Sequence, residues 1–263
     1  MSGLLMRQND VVALVPGAYL VATRYPGMLQ MAGFFWLEIL PMSCLLLFVA
    51  GTKALLFVFF HWAFLGLYEI GYWVNDRAST SRERSCRPQF SLDRNRLVVA
   101  LIGRLAVLAV SVCLGALWFD TDAALAFTGT AAAVFLLLLL HSFVGTLTPA
   151  LAKLRVVTFA GLAFGKYAPA ALAVAPVPVV TQALGWIFLL YGGGRVVEYG
   201  LLKVENAAFD MQDVKALWYL AALMPAIALI EYSEYGRGLL TSLWVFGAYF
   251  LLRAVKRIVQ RFT

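Results

Sequence analysis

Charge is scarce in this chain. Only 13% of its 263 residues are Asp, Glu, Lys or Arg, where a soluble globular domain carries about 25%. A polypeptide with so little charge does not face water on all sides, which excludes an ordinary soluble domain. Histidine and cysteine are also rare. His61 and His141 stand on different predicted helices, and Cys44, Cys86 and Cys113 form no CxxC or Cys/His spacing, so nothing supports a zinc site. Two of the cysteines fall inside predicted spans and one in a loop assigned below to the cytoplasm, where thiols stay reduced. A Gly-rich loop of the nucleotide-hydrolase type is missing, as is a serine nucleophile elbow. Gly192 to Gly194 lies within an apolar run, where a bend or close helix packing explains it. The net charge of +7 is weak evidence for a nucleic-acid partner, because no patch interleaves basic and aromatic residues outside the apolar runs.

What the chain has in abundance is hydrocarbon. Hydrophobic residues make up 62% of it, and the mean hydropathy is +0.83. Runs of the roughly 20 residues needed to cross a bilayer lie near 30 to 50, 54 to 74, 97 to 119, 123 to 143, 155 to 175, 178 to 200, 214 to 232 and 238 to 256. The expected fold is all-α, a polytopic transmembrane bundle of eight helices, or nine if one of these runs merges two. Residues 1–27 are expected to form a cytoplasmic or interfacial lead-in, and 28–263 a single transmembrane domain. Arg7, Asn9 and Asp10 interrupt the first residues, so no cleavable signal peptide is evident. With the N-terminus inside, Arg7, Arg24, the arginines from Arg77 to Arg96, Lys153, Arg155, Lys203, Lys215, Arg253, Lys256, Arg257 and Arg261 all fall on the cytoplasmic side. Lys53 and Arg237 are left outside, and that asymmetry predicts both termini in the cytoplasm.

Polar residues interrupt the hydrocarbon at informative places. In YEIGYWVNDRASTSRERSCRP, from Tyr68 to Pro88, an apolar span ends in Asn75 and Asp76 and opens onto Arg77, Arg82, Arg84 and Arg87, with Glu83 among them. Carboxylate and amide oxygens at a helix exit suit magnesium, which shares hard ligands with substrate phosphates. Guanidinium groups suit the remaining phosphate oxygens. A basic loop that only sets topology is the plainer alternative. Glu69, Tyr72 and Asp76 recur at i, i+3 and i+7 and so share a helix face. Glu69 there requires either a wet cavity or a buried cation such as Arg104. Tyr68, Tyr72 and Trp73 flank the motif.

A second polar cluster, YGGGRVVEYGLLKVENAAFDMQD, holds Arg195, Glu198, Lys203, Glu205, Asp210 and Asp213. Arg195 and Glu198 are either part of a site or an intrahelical pair worth a few tenths of a kcal/mol. Asp210 and Asp213 are either further oxygen donors or ordinary complements to a helix start. Lys166, in the predicted fifth span, is an intramembrane cation and a site candidate by default.

These residues carry a resemblance. NDRASTSRERSCRP resembles the first motif of the UbiA superfamily of intramembrane prenyltransferases, in which Asn-Asp is followed by spaced acids and then Arg-Pro. GGGRVVEYGLLKVENAA is similar to the Gly-Lys-Arg-x-x-Glu segment of the decaprenyl-phosphate phosphoribosyltransferase branch, and the stretch around Lys166 is similar to that branch's fifth-helix region. The likeness runs from about Arg24 to Lys215. Ser79 stands where the pattern has its first spaced Asp, Glu83 replaces the second, and Gly194 occupies the place of the Lys. The superfamily usually has nine spans, one more than the eight counted in this sequence.

The resemblance implies a bundle around a central cavity, a cytoplasmic mouth in a bacterial inner membrane, and a lateral opening for an isoprenoid chain. It implies a magnesium-dependent transferase that joins a phosphorylated sugar donor, such as phosphoribosyl diphosphate, to polyprenyl phosphate. Asn75, Asp76, Glu83, Asp210 and Asp213 are then metal ligands. Arg77, Arg82, Arg84, Arg87, Lys166, Lys203, Tyr68 and Tyr72 are substrate contacts. Asp76, Glu83, Arg195 and Glu198 are the catalytic group. Two other functions fit the same residues: prenyl transfer from a polyprenyl diphosphate to an aromatic or other small acceptor, and binding or transport of an isoprenoid lipid without catalysis.

Overall fold

In hydrocarbon every backbone N–H and C=O must be satisfied within the protein, so apolar runs of this length close their hydrogen bonds as helices. The computed structural model describes residues 15–25, 27–79, 94–118, 120–144, 153–203, 211–233 and 235–262, less the side chains of 77–79, 94–97, 118, 202–203, 211–212 and 260–262. Among the described residues all regular structure is helical: α1 (Ala18–Arg24), α2 (Met28–Phe34), α3 (Leu40–Ala50), α4 (Ala54–Ser79), α5 (Arg94–Trp118), α6 (Thr121–Val144), α7 (Leu154–Gly165), α8 (Ala168–Leu172), α9 (Val177–Ile187), α10 (Gly193–Lys203), α11 (Met211–Glu231) and α12 (Gly236–Phe262). π-helical turns at Phe35–Ile39 and Phe188–Gly192 join α2 to α3 and α9 to α10.

Six stretches among the described residues are long and apolar enough to cross a membrane. The sequence reading counts eight, and two features account for the difference. The first stretch, Met28–Asp76, is 49 residues long, but Gly51 at φ +58° breaks it. Its halves pack against each other as a hairpin. The predicted fifth span is divided at Lys166 and Tyr167 into the short helices α7 and α8, with Pro169 opening the second. That irregular backbone is buried in protein, with Ala170 and Ala171 wholly covered, and so meets the condition under which a broken helix survives at membrane depth.

The helices close into a ring because the first and last pack together: α3 lies along α12, and neighbours then follow in chain order through α4, α6, α7, α10 and α11. Lipid offers no hydrophobic drive between helices, so close approach through small residues supplies the packing energy. Ala183 and Ala226 are fully buried. A Cβ added to Gly194 would lie 2.9 Å from Trp218 Cβ, which bears out close packing as the role of the glycine run. Large apolar side chains such as Leu117, Leu217 and Trp244 point outward, as on a lipid-facing surface.

A candidate anion site at one end of the bundle

The face predicted from the i, i+3, i+7 spacing exists on α4, and the lead-in segment covers it. Gly17, at φ +88°, turns the chain into α1. Glu69 accepts hydrogen bonds from the backbone N–H groups of Gly17 at 2.8 Å and Leu20 at 2.6 Å, and thereby caps α1. The same carboxylate pairs with Arg104 of α5, and both side chains are fully buried. Arg104 also donates to the Gly66 carbonyl at 3.0 Å and lies over the Trp73 ring. Of the two roles open to Glu69, the structure supplies the buried cation.

Two turns further, Asp76 accepts two bonds from Arg24, at 2.8 and 3.0 Å, and one from the Tyr19 hydroxyl at 2.8 Å. Burial and the neighbouring carboxylate push the Tyr19 hydroxyl well above its ordinary pKa. Arg24 also lies over the Tyr72 ring, which meets Tyr68 edge to face. Asn75 accepts from Arg155 of α7 at 3.1 Å.

Across the ring, Glu38 stands at the centre of a second cluster. It pairs with Lys166, accepts from the Tyr167 hydroxyl at 2.6 Å and from Arg195 at 2.6 Å. Lys166 is therefore not a lone cation. Arg195 and Glu198 do not form the intrahelical pair, since Arg195 turns to Glu38 and Glu198 pairs with Lys215 of α11 at 3.0 Å. Both π turns serve this arrangement. Glu38 lies on one and Tyr191 on the other, where the altered winding re-aims side chains that regular helices would carry elsewhere. Trp218 Nε1 donates to the Leu189 carbonyl of the second π turn at 2.6 Å, and its ring fills the space beside Gly194. A lysine at that position has no room.

Between these clusters lies a cavity of about 420 Å³. Arg24, Arg195, Lys215, Arg253 and Lys256 line it, together with the hydroxyl-bearing Tyr25, Tyr191 and Tyr249, and among the described residues Glu38 is the one carboxylate in its wall. Arg24 links the two sequence motifs: it grips Asp76 on one side and faces the cavity shared with Arg195 on the other. Desolvation raises the Tyr25 hydroxyl's pKa, so it stays protonated as a donor. The arrangement suits a ligand with several negative charges.

The expected metal site is not assembled by the described residues. No three of their His, Cys, Asp and Glu side chains form a group that could hold a metal ion. The reason is electrostatic, because arginines already engage the candidate donors. Asp76 is bonded to Arg24, Asn75 to Arg155, and Asp213, in the first turn of α11, to Arg257 at the exposed surface. Among the described residues these donors, already engaged by arginines, do not fit magnesium. Arg82, Glu83, Arg84, Arg87 and Asp210 lie outside the described residues, as do the side chains of Arg77 and Lys203. Tyr68 and Tyr72 stand behind Arg24 rather than in the cavity wall.

Sequence reasoning passed over Glu38, although a carboxylate inside FFWLEIL meets the same test that singled out Lys166. It also took Arg24, Lys215, Arg253 and Lys256 only as topological charge. Their common destination is a tertiary fact, carried by the closure of the last helix on the first. No family model, curated protein or solved structure matches this chain.

Proposed function

We propose that this protein is an intramembrane transferase of UbiA-like architecture that joins a phosphoribosyl or similar pentosyl-phosphate group to polyprenyl phosphate. One observation carries the reading: a cavity at the helix ends in which, among the described residues, five cations face one carboxylate. Its volume of about 420 Å³ falls within the roughly 300–1,000 Å³ of small-molecule sites. In the proposed reaction an oxygen of the lipid phosphate bonds to the anomeric carbon of the donor. The carbon–oxygen bond to diphosphate breaks, and its electron pair leaves on the diphosphate. Arg195 and Lys215, fixed by Glu38 and Glu198, stand ready to stabilise that departing charge. The described oxygen donors do not fit magnesium, so no step is assigned to it.

In this reading the two halves of Met28–Asp76 each cross the bilayer and α7 with α8 makes a further pass, for eight in all. The Lys and Arg distribution then favours the cytoplasmic side for the cavity mouth and both termini, and the resemblance favours a bacterial inner membrane. A second reading, a carrier of isoprenoid phosphate without catalysis, draws on the bonding of Asp76 to Arg24 and Tyr19 in place of a metal. Membranes containing the protein, given labelled phosphoribosyl diphosphate and polyprenyl phosphate, separate the two. The transferase makes labelled lipid, and Arg195→Gln lowers the rate at least about tenfold, as for loss of a charge-assisted contact. Saturable binding of polyprenyl phosphate with no labelled product in the wild type replaces the transferase by the carrier.

A further inference from the structure

Most of the cations around the cavity are already answered. Arg24 is held by Asp76, Lys215 by Glu198, and Lys166 and Arg195 share Glu38. Arg253 and Lys256 differ, for neither has an ion pair among the described residues. The Arg253 Nε is buried with no hydrogen-bond partner, and its Nη1 reaches only the Tyr249 hydroxyl, at 3.4 Å. An unmade bond on a buried charged donor is costly, and at a cavity wall the missing acceptor is naturally a ligand's. Spaced i, i+3 on α12, the two cations share one helix face.

We propose that Arg253 and Lys256 form a phosphate subsite, in which the Arg253 guanidinium binds phosphate oxygens through its N–H groups and Lys256 adds a point charge. The subsite rests on the phosphorylated-ligand reading above and names where the ligand's phosphate docks. Six cations against Glu38, Asp76 and Glu198 leave a surplus of three positive charges, a match for a diphosphate or for a phosphate monoester beside a second anion. The phosphate has two possible sources, the soluble donor or the lipid.

Binding of inorganic diphosphate and of farnesyl phosphate to the purified protein in nanodiscs decides between them. Arg253→Gln with Lys256→Gln is expected to weaken at least one of the two ligands tenfold or more, and the ligand affected identifies the source. Lys53→Gln, at the other end of the bundle, is expected to leave both affinities unchanged. Wild-type affinity for both ligands in the double variant overturns the subsite alone, as does an equal loss in Lys53→Gln. Failure of the wild type to bind either ligand overturns the phosphorylated-ligand reading and the subsite with it. Should the double variant not fold, Lys256→Gln at its exposed position carries the test, with about threefold weaker binding expected and unchanged binding of both ligands overturning the subsite.

Discussion

Replacing Glu69 by alanine removes three partners at once. The Arg104 guanidinium loses its counter-ion at a site where both side chains are fully buried, and the N–H groups of Gly17 and Leu20 lose the acceptor that caps α1. Breaking a buried ion pair from one side costs about 3–5 kcal/mol, because the remaining charge is stranded. At roughly 2–4 °C per kcal/mol for a chain of this size, the melting temperature falls by about 6–20 °C. Arg104→Met in the same background removes the stranded charge, so Glu69→Ala/Arg104→Met is expected to recover more than half of the loss. The remainder reports the α1 cap. Tm of the four proteins in detergent, followed by tryptophan fluorescence, closes the double-mutant cycle. A Glu69→Ala protein that melts within about 2 °C of the wild type shows that the buried pair does not hold α1 and α5 in this way, and so does a double variant whose loss is the sum of the two single losses.

Gly194→Ala places a methyl 2.9 Å from Trp218 Cβ, an atom too near the backbone to swing aside. It is expected to cost about 1–3 kcal/mol, whereas Gly129→Ala, with nothing within 4 Å, gains up to about 1 kcal/mol from helix propensity; chemical denaturation of the two variants compares them. The Tyr19 hydroxyl keeps its proton in the folded state at pH values where the unfolded chain releases it. Its contribution is complete below the ordinary tyrosine pKa of about 10 and is lost as pH rises beyond it, at up to about 1.4 kcal/mol per unit. Stability measured from pH 9 to 12 should therefore fall less steeply in Tyr19→Phe than in the wild type.

Hydropathy was enough to locate the six stretches among the described residues that are long and apolar enough to cross a membrane, because an apolar run in hydrocarbon must close its own backbone hydrogen bonds. For Glu69 it left two roles, a wet cavity or a buried cation, and named Arg104 on the next span as such a cation, which is the partner found. The π turns lay beyond it: Phe35–Ile39 and Phe188–Gly192 read as ordinary helix, and one extra residue per turn decides that Glu38 and Tyr191 face a common cavity. Local spacing left Arg195 and Glu198 as either an i, i+3 pair or part of a site, and only Glu38 and Lys215, brought within 3.0 Å by other helices, decide against the pair. The choice of Asn75 and Asp76 as metal ligands weighed their oxygens without Arg24 and Arg155, which arrive from elements distant in sequence.

In the proposed arrangement α2, α11 and α12 bound one anion cavity on the cytoplasmic side of the membrane. Site-directed labelling measures this directly: Gln30→Cys, Lys215→Cys and Tyr249→Cys are made singly in a background lacking Cys44, Cys86 and Cys113. Each is treated with a membrane-impermeant maleimide in sealed vesicles of either orientation, with and without saturating inorganic diphosphate. All three are expected to react from the cytoplasmic face alone and to be slowed by diphosphate. Reaction of any one from the opposite face, or rates at all three that diphosphate leaves unchanged, rules out a shared anion cavity at that face.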